Sequence, residues 1–216
     1  AVTPVEEAVV AEAATPPITG QVVDPQGRPL SAIAVRFSVR GEEQARTVTD
    51  ALGNFELPAP STTGQVSTAD DAFVDLYAQE VRAKNRTPLL LVAAAYRPLS
   101  GIVVDALGEP IEGARVALEL PEGFAARFDA VLDTADDRVW ETASDAEGRF
   151  ALDDVPVVVD SMLGARLDGY EPALVEPPDG AGEGIELVLE RPQSDENTLA
   201  GRVSDADGAP IAGAWV

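Results

Sequence analysis

Carboxylates are the most abundant reactive groups in this chain, and several of them recur at a fixed spacing before a glycine. In "DPQG" at 24–27, Asp24 is followed three residues later by Gly27. Carboxylate oxygens at regularly spaced positions are the kind of ligand that binds a calcium ion. An Asp at this position also accepts hydrogen bonds from its own backbone in a tight turn, while Gly supplies a positive φ. The same spacing returns as Asp50 with Gly53, Asp105 with Gly108, Asp145 with Gly148 and Asp205 with Gly208.

The turn interpretation is favoured over a calcium site. The stretch "DADG" at 205–208 is similar to the opening of a calcium loop, which requires a Glu at its twelfth position. That position is Val216 in this chain. The sequence therefore predicts five structural turns and no cofactor, with structural calcium as the alternative.

The composition excludes catalytic sites that depend on His or Cys side chains. The 216 residues contain neither His nor Cys. The usual zinc sites, Ser-His-Asp triads and Cys-His dyads therefore cannot be assembled within this chain. Paired carboxylates remain as acid–base candidates, but among 38 Asp and Glu residues any single pair is uninformative. We expect that this chain is not an enzyme.

Charge and hydrophobicity limit the partners. The formal net charge of −23 predicts no binding to nucleic acid or to an anionic membrane surface, because both require Lys and Arg. No apolar run approaches the roughly 20 residues that span a bilayer, so we expect no membrane insertion. The longest candidate, "TPLLLVAAAY" at 87–96, is typical of a buried strand.

Two aromatic residues are candidates for a flat ligand platform. Tyr96 and Trp140 lie outside the repeat positions that the other aromatics occupy as core residues. Such rings would suit carbohydrate or another extracellular ligand. For Trp140, packing against Phe124 and Phe128 is the favoured alternative.

The positioning elements are revealed by internal repetition. The phrase "SGIVVDALGEPIEGARVAL" (100–118) closely follows "TGQVVDPQGRPLSAIAVRF" (19–37) and begins again as "AGRVSDADGAPIAGAWV" (200–216). A second echo links "TVTDALGNFEL" (47–57) with "TASDAEGRFAL" (142–152). Each phrase predicts a strand, an Asp-x-x-Gly turn and an alternating return strand. The pattern indicates tandem antiparallel β-sandwiches.

These repeats divide the chain into four parts. We predict a flexible acidic linker at 1–16, one sandwich at 17–97, a second at 98–192, and a linker with a truncated third copy at 193–216. The second sandwich carries an insertion at about 121–140, where Phe124, Phe128, Val131 and Leu132 predict a short amphipathic helix or a packed loop. The stretch 70–84 fits a strand or a helix, with strand favoured.

The double motif resembles the carboxypeptidase regulatory-like family. Its residues are G-x-V-x-D-x-x-G-x-P-[LI]-x-x-A-x-V, then T-D-x-x-G-x-F, then G-Y before a last strand. The resemblance covers roughly 18–192. It implies seven-stranded transthyretin-like, or Ig-like, sandwiches. The first copy departs from the pattern, because "SAIAV" replaces x-G-A-x-V and its G-Y element is missing.

The resemblance implies a non-catalytic module of a secreted or cell-surface bacterial protein, acting as a stalk or adhesive spacer. Its partners would be other domains of the same polypeptide, and an extracellular protein or polysaccharide. Two alternatives stay open: a carbohydrate- or other ligand-binding module, and an accessory domain beside a hydrolase outside this chain. Fold alone does not select among them.

Overall fold

The protein is described here from a computed structural model that covers residues 16–58, 62–82, 87–128, 135–137, 139–178, 180–192 and residue 204. Within these residues the secondary structure is β-strand, apart from one 3-10 turn at Ala125–Arg127. The predicted all-β fold class is confirmed. The strands are β1 (Ile18–Val23), β2 (Ala34–Val39), β3 (Glu42–Val48), β4 (Asn54–Leu57), β5 (Gly64–Thr68), β6 (Phe73–Asp75), β7 (Tyr77–Val81), β8 (Leu89–Asp105), β9 (Arg115–Glu119), β10 (Ala135–Asp137), β11 (Glu141–Ala143), β12 (Arg149–Pro156), β13 (Met162–Arg166), β14 (Ala173–Val175) and β15 (Gly182–Leu189).

Strands form because apolar and polar residues alternate along them. In β4, Phe55 and Leu57 are buried while Asn54 and Glu56 are exposed, which is the period of two that a half-buried strand requires. Strands β6 and β7 occupy much of the stretch 70–84 that the sequence leaves open between helix and strand.

One six-stranded sheet runs through both halves of the molecule, and we call it the shared sheet. Its order is β12-β8-β1-β4, and β6 and β15 also pair with β8. The first half of β8 pairs in parallel with β1. The second half pairs antiparallel with β12 and in parallel with β15. A single strand therefore belongs to both halves.

Two further sheets pack against the shared sheet. The N-terminal sheet has the order β10-β7-β5-β2-β3, and the C-terminal sheet has the order β11-β9-β13-β14. The N-terminal core lies between the N-terminal sheet and the shared sheet, and it includes Val22, Phe37, Leu57, Val66 and Leu91. The C-terminal core includes Val103, Val116, Phe150, Leu163 and Leu187. The pairing order thus repeats along the chain, as the sequence repeats do.

The boundary that the sequence places between residues 97 and 98 falls inside β8, so the two predicted sandwiches are joined by continuous strand. The division at this point remains a prediction. For the insertion, the sequence predicts a short amphipathic helix or a packed loop. Its described part contains a 3-10 turn at Ala125–Arg127, and Val131 and Leu132 lie outside the described residues. The linker at 1–16, apart from its last residue, and most of 193–216 also lie outside them.

Candidate functional site

The four described Asp-x-x-Gly turns share one geometry. The Oδ1 atom of Asp24 accepts hydrogen bonds from the backbone N–H groups of Gln26 and Arg28, both at 2.9 Å. Asp50, Asp105 and Asp145 accept the equivalent pair of bonds at 2.7 to 3.0 Å. The turn glycines all have positive φ: 81° at Gly27, 75° at Gly53, 81° at Gly108 and 74° at Gly148. The fifth turn, Asp205 with Gly208, lies outside the described residues.

The second turn of each repeat lies tightly against the first. A Cβ atom on Gly53 would stand 2.6 Å from the carbonyl oxygen of Val22, and one on Gly148 would stand 2.5 Å from that of Val103. Gly27 and Gly108 have open space around the same position. One oxygen of each turn Asp is therefore committed to backbone donors, and two of the glycines fix how the turns stack.

A buried hydroxyl joins the two hairpins in each repeat. Thr49 Oγ1 accepts from the N–H of Ile33 at 2.9 Å and donates to the carbonyl of Leu30 at 2.8 Å. Ser144 makes the same pair of bonds with Ala114 and Ile111, at 2.9 and 2.7 Å. These two residues were not singled out from the sequence, although they directly precede the aligned Asp50 and Asp145.

Metal ligands do not gather in the part of the chain that the structure describes. There, no group of three or more Asp or Glu side chains has an arrangement that could hold a metal ion.

The pKa of Asp50 lies below its ordinary value, because the backbone and side-chain amides of Asn54 and the N–H of Leu52 donate to its charged form. Hydrogen bonding from Arg46 similarly lowers the pKa of Glu43.

The junction between the halves is an apolar extension of the C-terminal core. Val74, Leu76 and Tyr77 precede β8 in sequence, yet they belong to the same buried cluster as Phe124 and Trp140 of the second half. Phe124 also contacts Phe128 edge to face, with 5.6 Å between ring centroids.

The insertion reaches across to the first half. Its strand β10 pairs antiparallel with β7, so Ala135–Asp137 extends the N-terminal sheet. The sequence gives no signal for this pairing, because it depends on a partner strand more than fifty residues away in sequence. Strand β8 and the insertion therefore join the halves by two separate routes.

The two predicted platform residues lie in different places. Trp140 is 9% exposed and packs in the C-terminal core, beside a cleft of about 310 Å³ that Phe124 and Leu118 also line. Tyr96 is 38% exposed and lines another cleft, of about 440 Å³. Its hydroxyl donates to the carbonyl oxygen of Asp71 at 2.8 Å. The structure does not bring the two rings together, and their roles as platforms stay predictions.

The cleft beside Tyr96 collects polar residues that the sequence did not indicate. Arg36 and Ser67 contribute from the N-terminal sheet, with Arg36 Nε donating to Ser67 Oγ at 3.1 Å. Asp70 lies on the loop after β5, and Asp154 lies at a bulge in β12 with a φ of 47°. The lining comes from several strands and a loop that are distant in sequence, which explains why no local motif marked it.

Comparisons with known proteins give few constraints. No family model matches this chain, and no curated protein matches it. The resemblance to the carboxypeptidase regulatory-like family therefore stays a hypothesis. Among the residues that the structure describes, none belongs to a helix long and apolar enough to cross a bilayer.

Three solved structures illustrate the similarity that is found. The shaft pilin SpaA from Lactobacillus rhamnosus GG is 11% identical, with a TM-score of 0.34 over 83% of this chain and 99% of that chain. A streptococcal ancillary pilin is 11% identical, with a TM-score of 0.33 over 84% and 64% of the two chains. The pilus backbone RrgB from Streptococcus pneumoniae is 11% identical, with a TM-score of 0.28 over 83% and 65%. Such TM-scores do not establish a common fold, so function is argued from the chain's own residues.

Proposed function

We propose that this chain is a non-catalytic structural module that holds neighbouring domains of a secreted or cell-surface bacterial protein at a fixed separation. The observation that supports this proposal most directly is β8, a continuous 17-residue strand that contributes buried residues to both cores. At about 3.3 Å per residue, a strand of this length spans about 55 Å. A stalk needs such continuity, because a flexible linker between sandwiches would let them reorient.

The buried junction supports the same role. Val92 is fully buried on the face of β8 opposite the N-terminal core, where it joins the C-terminal cluster. Bending at the junction would expose this apolar surface to water at a cost of roughly 25 cal/mol per Å². The pairing of β10 with β7 adds backbone hydrogen bonds that bending would also break.

The proposed partners are the adjoining domains of the same polypeptide, with an extracellular protein or polysaccharide as a further partner. Membership of the carboxypeptidase regulatory-like family is part of this proposal, and it rests on the repeated motifs at 19–57 and 100–152. An accessory role beside a hydrolase depends on residues outside this sequence and is the less supported alternative.

The rigidity of the chain can be measured with spin labels attached to introduced Cys residues, because the chain contains no native Cys that would also be labelled. Spin labels at Glu42→Cys and Asp168→Cys place one exposed probe in each half. We expect a single narrow distance distribution by pulsed electron resonance. A control chain with Gly-Ser-Gly-Ser inserted between Pro98 and Leu99 should broaden it. A broad or bimodal distribution in the chain without the insertion would contradict the stalk proposal.

A further inference from the structure

We propose that the cleft beside Tyr96 is a binding site for a neutral oligosaccharide. The cleft has a volume of about 440 Å³, within the range of roughly 300 to 1,000 Å³ that is typical of small-molecule sites. Its lining combines an aromatic ring with several charged and hydroxyl side chains. This activity goes beyond the stalk proposal, because separation of domains does not require a ligand.

Tyr96 supplies an apolar face in a fixed orientation. Its hydroxyl donates to the carbonyl oxygen of Asp71 at 2.8 Å, and the residue is 38% exposed. A sugar ring presents a C–H face that packs on an aromatic ring while its hydroxyls point to the sides. An aromatic group with an apolar body and a polar tip suits this contact.

The surrounding side chains provide both kinds of hydrogen-bonding partner. The Arg36 guanidinium is a donor and the hydroxyl of Ser67 both donates and accepts, whereas Asp70 and Asp154 are acceptors. Sugar hydroxyls donate and accept, so neighbouring hydroxyls on one ring need this mixture. A purely apolar or single-signed cleft would not match them.

Charge selects neutral sugars over acidic ones. Four Asp residues line the cleft against two Arg residues. One of these arginines, Arg46, is already paired with Glu43 at 2.7 Å. The chain as a whole carries a formal charge of −23. Uronic acids and phosphorylated glycans would therefore be repelled both locally and at long range.

The cleft is preorganised by the strand pairing of the junction. Asp154 lies at the register shift between Leu152 and Val155, and its φ of 47° turns the chain locally. Beyond it, Pro156 pairs with Tyr96 in β8. Bulges commonly re-aim side chains next to functional sites. A site fixed in this way loses little conformational freedom when a ligand binds.

Isothermal titration calorimetry of the full 216-residue chain tests the proposal. The probes are maltotriose, cellotriose, chitotriose and mannotriose, with trigalacturonic acid as the acidic comparison. At least one neutral trisaccharide should bind with a Kd between about 10 μM and 1 mM, and more tightly than the acid. Tyr96→Ala should weaken that binding by about tenfold or more, whereas Tyr96→Phe should retain most of it because the ring remains.

A matched aromatic control lies elsewhere on the molecule. Tyr170 stands between β13 and β14, stacked with Arg191 at 5.5 Å, and it does not line the cleft. Tyr170→Ala should leave the Kd unchanged. The proposal is overturned if no neutral trisaccharide binds at about 5 mM, if the acid binds more tightly, or if binding survives Tyr96→Ala. None of these outcomes affects the rigidity measurement, so the two proposals fail independently.

Discussion

Leu76 offers a direct test of whether the first half contributes to the core of the second half. It lies between β6 and β7 in the first half and is 1% exposed, but it packs in the C-terminal core. Its N–H donates to the carbonyl of Val92 at 2.9 Å, which holds it beside β8. Replacement by Ala therefore removes apolar contacts from a core that is built mainly by the other half.

The size of the effect follows from burial. Leu→Ala substitutions in well-packed cores cost about 2 to 5 kcal/mol, and for a fully buried side chain such as that of Leu76 we expect a cost of about 3 kcal/mol. With a urea m-value of about 2 kcal/mol/M, the unfolding midpoint of Leu76→Ala should fall by about 1.5 M. Circular dichroism during urea unfolding measures this shift.

Hydrogen exchange then locates the loss. The N–H of Leu118 in β9 donates to the carbonyl of Trp140 at 3.0 Å, so it reports on the second half near the junction. Leu76→Ala should reduce its protection. The matched variant Leu57→Ala, which removes a fully buried Leu from the N-terminal core, should reduce protection there less. A midpoint shift below about 0.5 M, or unchanged protection of Leu118, would refute a shared core.

Three further predictions concern the repeated turns. Ala32 and Gly113 both have positive φ, 61° and 76°. Ala32→Gly should therefore raise the free energy of unfolding by about 0.5 to 1 kcal/mol, and Gly113→Ala should lower it by a similar amount. Denaturation midpoints equal to that of the parent chain would contradict this. Ser144→Ala should cost about 1 to 3 kcal/mol in thermal unfolding, since a buried N–H and a carbonyl lose their shared partner, and a loss near zero would contradict it. The pKa of Asp50 is lowered by donors from Asn54, so its stabilisation is present above the unfolded-state pKa and is lost as the pH falls through the folded-state pKa. The stability difference between the parent chain and Asp50→Asn should therefore stay constant above about pH 5 and shrink as the pH falls below about 4, the ordinary pKa of an Asp, and a difference independent of pH would contradict it.

The turns could be predicted from the sequence because their causes are local. Each Asp bonds to residues two and four positions ahead, and each Gly adopts the positive φ that its own turn requires. The departure of the first copy from the repeat is explained in the same way. Ala32 replaces the glycine found at 113, and the fold keeps the left-handed conformation there despite the added Cβ.

The continuity of β8 could not be predicted locally. Pro98 has no N–H and looks like a domain boundary, because proline is disfavoured within a sheet. It is tolerated here because its neighbours, Arg97 and Leu99, carry the pairing with Val155 and Leu152, across the point where the register shifts. The bulge of β12 thus accommodates the proline of β8. That arrangement involves residues more than fifty positions apart.

The residues that form the junction can nevertheless be identified by comparing equivalent positions of the two repeats. Val23 pairs with Val92 in the first half, and Val104 pairs with Val188 at the equivalent register in the second. Val92 is fully buried, whereas Val188 is 38% exposed.

Their flanking residues follow the same division. Leu90 and Ala94 surround Val92, while Glu186 and Glu190 surround Val188. On the face of the shared sheet that carries Val92 and Val188, the flanking residues are apolar beside Val92 and acidic beside Val188. The conserved phrase of the repeat therefore determines how each unit folds, and the residues that break the repeat determine how the units are joined. A face that carries glutamates at both flanking positions does not favour the same apolar packing against a following unit.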